Sequence, residues 1–234
     1  MIHGIVSDAH GNVESYHLAL RLLERLGARR ILFLGDAVGY LPGNSVVRAV
    51  LSGGIDAIRG NHEAMLLEGE PAAERDSVYR LQATRRAMSG EQIAAIRRWP
   101  ESQSWQAPSG CVLAVHGSPA NPTNGYVYPD TDLSTFEVAE GTTVFMGHTH
   151  RPFIGTNRGV RYINVGSCGL PRDAGCFGSA ALFDDETGEV RLIRFDIREA
   201  VRAALARVGP VHESVLAVFH RPAPLDLVGE LHDA

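Results

Sequence analysis

Seven side chains of the types that bind divalent metal ions occur in short polar blocks, each directly after an apolar run. Carboxylate, imidazole and amide groups are hard or borderline donors, which favour divalent first-row metals over a thiolate site. Buried strands that end in polar ligands are one way in which an α/β sheet builds a site along its carboxyl edge. The candidates are Asp8, His10, Asp36, Asn61, His116, His148 and His150.

The spacing within two of these blocks favours shared ligation. One residue separates Asp8 from His10, and one separates His148 from His150. Alternate side chains of an extended chain share a side, so both members of each pair can face one ion. The glycine before His148 also lets the backbone come close to such an ion.

Two other candidates add complementary chemistry. Asp36 follows an apolar run, and its two carboxylate oxygens can bridge two metals about 4 Å apart. Asn61 offers a neutral oxygen, which adds coordination without adding negative charge where a phosphate binds. Each also has a simpler interpretation, because Asp36 can cap a loop and Asn61 can cap a helix. His116, taken alone, reads as a histidine at the edge of the core.

The elements that must position these blocks alternate between strand and helix. Apolar runs predict strands over 2–7, 30–34 and 55–58, with helices over 12–26 and 44–51 between them. This rhythm predicts parallel strands with right-handed crossovers. Helices are predicted over 63–100. Strands are predicted over 112–115 and 142–146, followed by antiparallel strands over 152–156, 160–165, 179–183 and 190–195.

Composition excludes several classes of protein. The net charge is −5 without a basic stripe, so no extended nucleic-acid surface is expected. No apolar segment approaches the roughly 20 residues that span a bilayer. We therefore expect no membrane partner, and we expect a cytoplasmic location. The chain has three cysteines without a C-x-x-C pair, which disfavours a disulfide scaffold. Cys111 is expected to be buried.

The five blocks together resemble the calcineurin-like metallophosphoesterases over roughly residues 2–195. The matching motifs are D-x-H-G, G-D, G-N-H-E, H-G and G-H-T-H. The sequence of residues 35–40, 59–63 and 166–173 is most similar to that of the small bacterial and archaeal phosphodiesterase branch. The resemblance implies an α+β fold, a four-layer sandwich of two mixed β-sheets packed face to face and flanked by helices. We expect this domain over 1–196, with a helical extension over 197–234 packed on the domain or on a partner.

The resemblance also implies two divalent metal ions with one shared carboxylate. The first ion would be held by Asp8, His10, Asp36 and His150. The second would be held by Asp36, Asn61, His116 and His148. Mn²⁺ is the expected activator in vitro, with Fe, Zn, Ni and Co as alternatives. The chain departs from the family pattern at 168–170 and 174–176, which bears on substrate preference.

The expected reaction is hydrolysis of a phosphate ester by a metal-bridging hydroxide. His62 would stabilise the phosphate or donate a proton to the leaving oxygen, an effect of about 10²–10⁴-fold for general acid catalysis. Arg172 is a candidate phosphate contact through its fork of donors, with an ordinary surface arginine as the alternative.

The substrate is expected to be a small phosphorylated molecule, such as a nucleotide. No arginine cluster adjoins the motifs, which favours phosphodiesters over monoesters. A phosphomonoesterase, a dinucleoside polyphosphate hydrolase and a non-enzymatic protein-binding scaffold remain alternatives, and the oligomeric state is open. Three tyrosines, Tyr40, Tyr126 and Tyr128, either stack a nucleobase or cover the core.

Overall fold

Two mixed β-sheets organise the computed structural model, which describes residues 1–69, 72–224 and 227–233. Within these residues the first sheet has six strands in the order β11-β10-β9-β1-β2-β3, and the second has five in the order β4-β5-β6-β8-β7. Each sheet therefore combines parallel and antiparallel pairs.

The first part of the chain forms the parallel half of the first sheet. Strands β1 (Ile2–Val6), β2 (Arg30–Phe33) and β3 (Asp56–Ala57) run parallel, as the sequence predicts. Helices α1 (Val13–Arg25) and α2 (Ser45–Ser52) form the crossovers. The third strand is shorter than expected, because only two of its residues pair with β2.

Helix α1 begins and ends where the sequence predicts. The side chain of Asn12 accepts a hydrogen bond from the backbone N–H of Ser15 at 3.1 Å, which satisfies one free donor of the first turn. Leu22 and Leu23 are buried on the helix face turned to the sheet. Gly27 follows with φ of +100°, a conformation that disfavours other residues and stops the helix.

The predicted helical stretch after residue 63 contains four helices. In the sequence they lie between β3 and the first strand of the second sheet, and Leu66, Leu81 and Ile96 of three of them are buried in the cluster that covers the first sheet. Their bounds are α3 (Asn61–Glu68), α4 (Ala73–Tyr79), α5 (Leu81–Arg86) and α6 (Gly90–Arg98). Ser89 caps α6, since its hydroxyl accepts from the backbone N–H of Gln92.

The second sheet corrects two predictions. Its strands are β4 (Ser102–Ala107), β5 (Gly110–Val115), β6 (Thr143–Met146), β7 (Phe153–Asn157) and β8 (Val160–Asn164). The prediction missed β4, because this edge strand is mostly polar and lacks the apolar run on which the strand prediction relied. The expectation that β8 is only antiparallel was also wrong, because β8 pairs in parallel with β6 on its other side.

The chain then returns to the first sheet. Strand β9 (Phe177–Asp184) pairs antiparallel with β1, and β10 (Val190–Asp196) pairs antiparallel with β9. A short strand that the sequence did not predict, β11 (Glu230–His232), lies parallel to β10. The two antiparallel hairpins of the C-terminal half therefore belong to different sheets.

A shared apolar core holds the two sheets face to face. Ile5 and Ala181 of the first sheet pack in one buried cluster with Ala114, Phe145 and Ile163 of the second. A second cluster joins the other face of the first sheet to its helices. These packings confirm the predicted sandwich of two mixed sheets flanked by helices. The outer face of the second sheet is covered by the segment 127–138, which includes a 3₁₀ turn at Leu133–Thr135.

The expected burial of Cys111 was wrong, since its thiol is exposed. Strand alternation turns Val112 and Ala114 of β5 toward the inter-sheet core. Cys111 therefore faces outward, at the beginning of the strand, where the covering segment does not reach it. Of the other two cysteines, Cys168 is buried and Cys176 is partly exposed.

The chain after residue 196 packs on the same body. Helix α7 (Arg198–Val208) lies against α1, and the guanidinium of Arg207 donates to the carboxylate of Glu14 at 2.7 Å and to the carbonyl of Gly11 at 2.8 Å. Helix α8 (Glu213–Phe219) follows. The domain boundary at residue 196 stays a prediction. None of the helices in the described ranges has both the length and the apolar character needed to cross a membrane.

A buried ion pair ties the loop after residue 170 to the first sheet. Arg194 is fully buried, and its guanidinium donates to both carboxylate oxygens of Asp173 at 2.6 and 3.2 Å. We expect Asp173→Ala to lower the free energy of unfolding by about 3–5 kcal/mol, because it leaves a buried charge unpaired. Chemical denaturation measures this loss.

Two further variants test the cause. Asp56→Ala breaks the exposed Arg30–Asp56 pair and should cost less than about 1 kcal/mol. Adding Arg194→Met to Asp173→Ala should restore most of the stability, because no buried charge is left. A loss at Asp173→Ala as small as that at Asp56→Ala would contradict the prediction.

Candidate metal centre

The fold brings all seven predicted ligand residues to one place. They follow the carboxyl ends of β1, β2 and β3 in the first sheet and of β5 and β6 in the second, so the site lies where parallel strands of both sheets end. Six of the seven side chains are almost completely buried, and that of Asn61 is half-buried. The site residues are therefore largely shielded from bulk water.

Backbone strain is concentrated at this site. Eight non-glycine residues among those described have a left-handed φ, which costs about 1–3 kcal/mol where the surroundings enforce it. Six of the eight are site residues or neighbours: Asp8, His10, Asp36, Tyr40, His148 and His150. All of these except Tyr40 lie within four residues of the end of a strand, and their side chains are buried. Such strain is typical of functional sites.

The first group of ligands consists of Asp8, His10 and His150. Its two imidazole rings face each other through nitrogen atoms that carry no hydrogen when the rings are neutral. Nδ1 of His10 lies 2.9 Å from the carbonyl oxygen of Val38. Nδ1 of His150 lies 2.5 Å from that of Leu170. A carbonyl oxygen only accepts, so in both neutral rings Nδ1 carries the hydrogen and Nε2 has a bare lone pair. The two Nε2 atoms are 3.0 Å apart, and that of His150 is 3.1 Å from Asp8 Oδ1.

The second group has the same arrangement. Nδ1 of His116 lies 2.8 Å from the carbonyl oxygen of Leu34, which again leaves Nε2 as a lone pair in the neutral ring. This atom is 3.0 Å from Asn61 Oδ1 and 3.4 Å from Asp36 Oδ2. His148 completes the group, and its buried Nε2 has no hydrogen-bond partner among the described residues.

Asp36 lies between the two groups. Its Oδ1 accepts a hydrogen bond from the backbone N–H of His62 at 2.9 Å, which orients the carboxylate. Its Oδ2 is 3.6 Å from Nε2 of His10 in the first group and 3.4 Å from Nε2 of His116 in the second. One oxygen of Asp36 is therefore accessible to both groups.

The electrostatics of the two ligand groups favour the binding of positive charge. Burial alone would raise the pKa of Asp36, but the neighbouring histidines hold it below its usual range. Burial would likewise lower the pKa of His116, yet Asp36 and Asp8 raise it to about 10. Burial lowers the pKa of His148 and of His150 to about 4. The two buried carboxylates of Asp8 and Asp36 therefore attract a cation to the site. The smallest such cation is a proton on His116.

Divalent metal ions fit this arrangement better than a proton. Asp8, His10 and His150 offer three ligand atoms within 4.8 Å of one another, and so do Asp36, His116 and His148. A ring that donates Nδ1–H to a carbonyl and presents Nε2 is the usual form of a metal-bound histidine. Asp8 Oδ1 and His148 Nε2 have no hydrogen-bond partner within the described part of the chain, and bound metal would supply one.

His62 is packed beside these ligands. Its ring lies 4.7 Å from that of His10 and 5.0 Å from that of Tyr40, centroid to centroid. A side chain at Gly39 would put its Cβ 2.0 Å from Nδ1 of His62, so only glycine admits the ring. Its Nε2 is 4.0 Å from Asp36 Oδ2, and burial lowers its pKa to about 3. His62 also forms a possible ligand group with His10 and Asp36.

Arg172 adjoins the first ligand group. Its guanidinium donates to the hydroxyl of Tyr40 at 2.8 Å, and its backbone N–H donates to the carbonyl of His150 at 3.2 Å. The residue is partly buried, and its role as a phosphate contact stays a prediction. Because Tyr40 is a neutral partner, this contact leaves the positive charge of Arg172 available to an anion.

Three polar residues that support the site were not identified from the sequence. The buried carboxylate of Glu63 accepts backbone hydrogen bonds from Asp36 at 2.7 Å and from Gly60 at 2.9 Å. Ser167 donates to the carbonyl of Asp8 at 2.7 Å. Asn164 donates to the carbonyl of Gly147 at 2.7 Å. Glu63 lies three residues after Gly60, the residue that caps helix α3. A glutamate at this position is a capping signal, which could have identified it from the sequence.

Comparisons with known proteins identify relatives of this chain. The calcineurin-like phosphoesterase superfamily domain matches residues 1–188. The uncharacterized protein MJ0912 of Methanocaldococcus jannaschii is 27% identical over 218 residues, covering 84% of this chain and 88% of that protein. A metallophosphoesterase from Sphaerobacter thermophilus has a similar fold, with a TM-score of 0.75 at 23% identity over 94% of this chain and 98% of its own. The hypothetical protein PH1004 of Pyrococcus horikoshii OT3 gives a TM-score of 0.78 at 19% identity, covering 93% and 97%.

Proposed function

The chain belongs to the calcineurin-like phosphoesterase superfamily, and we propose that it hydrolyses phosphodiesters with two divalent metal ions. The observation that carries this proposal is the set of imidazole nitrogens whose Nδ1 atoms face carbonyls. In the neutral rings the Nε2 atoms are bare, and they converge with two buried carboxylates around Asp36. Divalent cations suit such a set of acceptors directed at one another.

The proposed assignment of ligands follows the two groups. Asp8, His10 and His150 would hold the first ion, with Asp36 shared between the two. The second ion would be held by Asn61, His116 and His148 together with Asp36. When bound, such a pair lowers the pKa of a water molecule and neutralises charge on the phosphoryl oxygens.

The protein's own groups supply the rest of the proposed reaction. Carbonyls of Val38, Leu170 and Leu34 fix the orientation of the three imidazoles, so the site needs little reorganisation when the substrate binds. Because burial lowers its pKa to about 3, His62 is neutral in the free site and would donate a hydrogen bond to the phosphate. It would donate a proton to the leaving oxygen only after the negative charge of the bound phosphate has raised that pKa. Arg172 would contact a non-reacting phosphate oxygen.

The charge of the site favours diesters over monoesters. The guanidinium of Arg172 is held beside the site by the hydroxyl of Tyr40, and a phosphodiester carries a single negative charge. A monoester carries a second negative charge close to the buried carboxylates of Asp8 and Asp36. One arginine therefore matches a diester better.

Hydrolysis of two chromogenic esters by chelator-treated protein tests the proposal. We expect turnover of bis(p-nitrophenyl) phosphate only after Mn²⁺ is added, with a higher kcat/KM than for p-nitrophenyl phosphate. A higher kcat/KM for the monoester would overturn the diester preference. Absence of turnover with Mn, Fe, Zn, Ni and Co would favour the scaffold alternative.

The identity of the metal and the cytoplasmic location stay predictions. Mn²⁺ is proposed as the activator in vitro because imidazole and carboxylate ligands suit several first-row ions, and availability selects among them.

A further inference from the structure

Two tyrosines lie exposed at the edge of the metal centre. The side chain of Tyr126 is 55% exposed and that of Tyr128 is 38% exposed. They are the two aromatic residues among the exposed large hydrophobic side chains of the described chain. Exposed aromatic area next to a proposed catalytic site is costly in water unless a ligand covers it.

The loop that carries these tyrosines is held in shape by its own contacts. Val127 is buried against the second sheet, so the residues on either side of it point outward. Tyr128 donates its backbone N–H to the hydroxyl of Thr131 at 2.8 Å, and Thr131 returns a backbone hydrogen bond at 3.0 Å. A Cβ at Gly125 would lie 2.0 Å from the hydroxyl oxygen of Ser118, so the loop packs closely at this glycine.

The two exposed rings are nearly parallel. The planes of Tyr126 and Tyr128 differ by only 10°, with centroids 6.0 Å apart. The ring of Tyr126 also lies 4.1 Å from that of His148, centroid to centroid. The tyrosine pair therefore begins beside a proposed metal ligand and continues outward to solvent.

We propose that the Tyr126–Tyr128 pair is a stacking subsite for the base of a nucleotide, and that the substrates are nucleotide phosphodiesters. This inference rests on the proposed function, because the phosphate must lie at the metal centre for its base to reach Tyr126. Every nucleobase has a flat π-face, and stacking on an aromatic side chain contributes about 1–3 kcal/mol per base. Two exposed rings suit a planar group, whereas an acyl chain requires a longer apolar groove.

The alternative is that the two rings only cover the core. Core covering here is done by Val127, which is 1% exposed, and both neighbouring rings remain accessible. A purely structural role for Tyr126 would be to hold His148 in place. That role makes a different prediction, because it would affect every phosphorylated ligand equally.

Binding of adenosine monophosphate and of ribose 5-phosphate to the Mn²⁺-loaded full-length protein distinguishes these roles. The two ligands differ only in the adenine base, and calorimetry measures both without requiring turnover. We expect adenosine monophosphate to bind about 5- to 150-fold more tightly, the equivalent of one stacked base. Tyr126→Leu should abolish this preference and leave ribose 5-phosphate binding unchanged. Tyr126→Phe, which keeps the ring, should retain the preference.

Equal affinities for the two ligands in the wild-type protein, including no measurable binding of either, would overturn the subsite. So would an equal loss of both affinities in Tyr126→Leu, which would mean that the ring supports His148. The assay of chromogenic esters decides the proposed function separately. Turnover without a preference for adenosine monophosphate rejects the subsite alone, and the preference without turnover rejects the catalytic proposal alone.

Discussion

The variant Asp36→Asn is expected to lose at least about 10³-fold in kcat/KM and to lose bound metal. A bimetal site contributes several kcal/mol of transition-state stabilisation, and about 4 kcal/mol corresponds to 10³-fold. Asparagine keeps the oxygen that accepts from the backbone N–H of His62. It replaces Oδ2, which faces Nε2 of both His10 and His116, by an amide that donates hydrogen bonds.

The fold should survive this change. The amide can still donate to the imidazole nitrogens, but the substitution removes the carboxylate that raises the pKa of His116, so the metal-free variant should fold and melt below the temperature of the metal-free wild type. Mn²⁺ at about 1,000 times its Kd stabilises a protein by about 4 kcal/mol, and this stabilisation should vanish in Asp36→Asn. Thermal denaturation with and without Mn²⁺, metal analysis and turnover are the three measurements.

Asp56→Asn is the matched control for Asp36→Asn, because Asp56 is 48% exposed and pairs with Arg30 away from the site. It should leave turnover and metal content unchanged. Full activity in Asp36→Asn would contradict a shared carboxylate between two ions. Lost metal with retained activity would contradict the proposed role of metal in the reaction.

The variant His62→Asn is expected to lower kcat by about 10²–10⁴-fold with little change in metal content. This range is typical for removal of a general acid or base. The imidazole is enclosed by the rings of His10, Tyr40 and Tyr79, and its Nε2 lies at the edge of the ligand groups. Loss of a metal ion in His62→Asn would contradict this role and would identify His62 as a ligand.

The nature of the leaving group separates the two proposed roles of His62. A nitrophenolate leaves without a proton, whereas a nucleoside alkoxide leaves poorly unless it is protonated. If His62 donates a proton, the loss should be much larger for a dinucleoside monophosphate than for a nitrophenyl diester. Equal losses would mean that His62 only stabilises the phosphate. His17→Asn, on the exposed face of α1, is the control and should change neither rate.

Much of this fold follows from local patterns. The apolar runs before Asp8 and Asp36 predict buried strands, and the capping residues Asn12 and Ser89 are visible in the sequence and begin helices as expected. Patterns failed at the edges of the sheets. Strand β4 is mostly polar, and β11 has only three residues, so neither presents an apolar run.

Sheet membership was also beyond local patterns. The sequence predicts strands over 160–165 and 179–183, but local pattern does not say which sheet each strand joins. In the structure the first pairs with β6 and the second with β1. The partner is set by the burial of apolar faces between two sheets, which depends on residues far apart in the chain.

For the site, the sequence by itself determined which side chains are available and that each follows a strand. Side-chain identity and the distance from the preceding apolar run are local properties, and all seven candidates meet in the structure. Only the tertiary structure decided how they are oriented. The carbonyls that face the rings of His10, His150 and His116 come from residues 28, 20 and 82 positions away. Every residue carries a backbone carbonyl, so no residue type indicates which carbonyl will accept a hydrogen bond from the imidazole. That depends on how the two sheets pack.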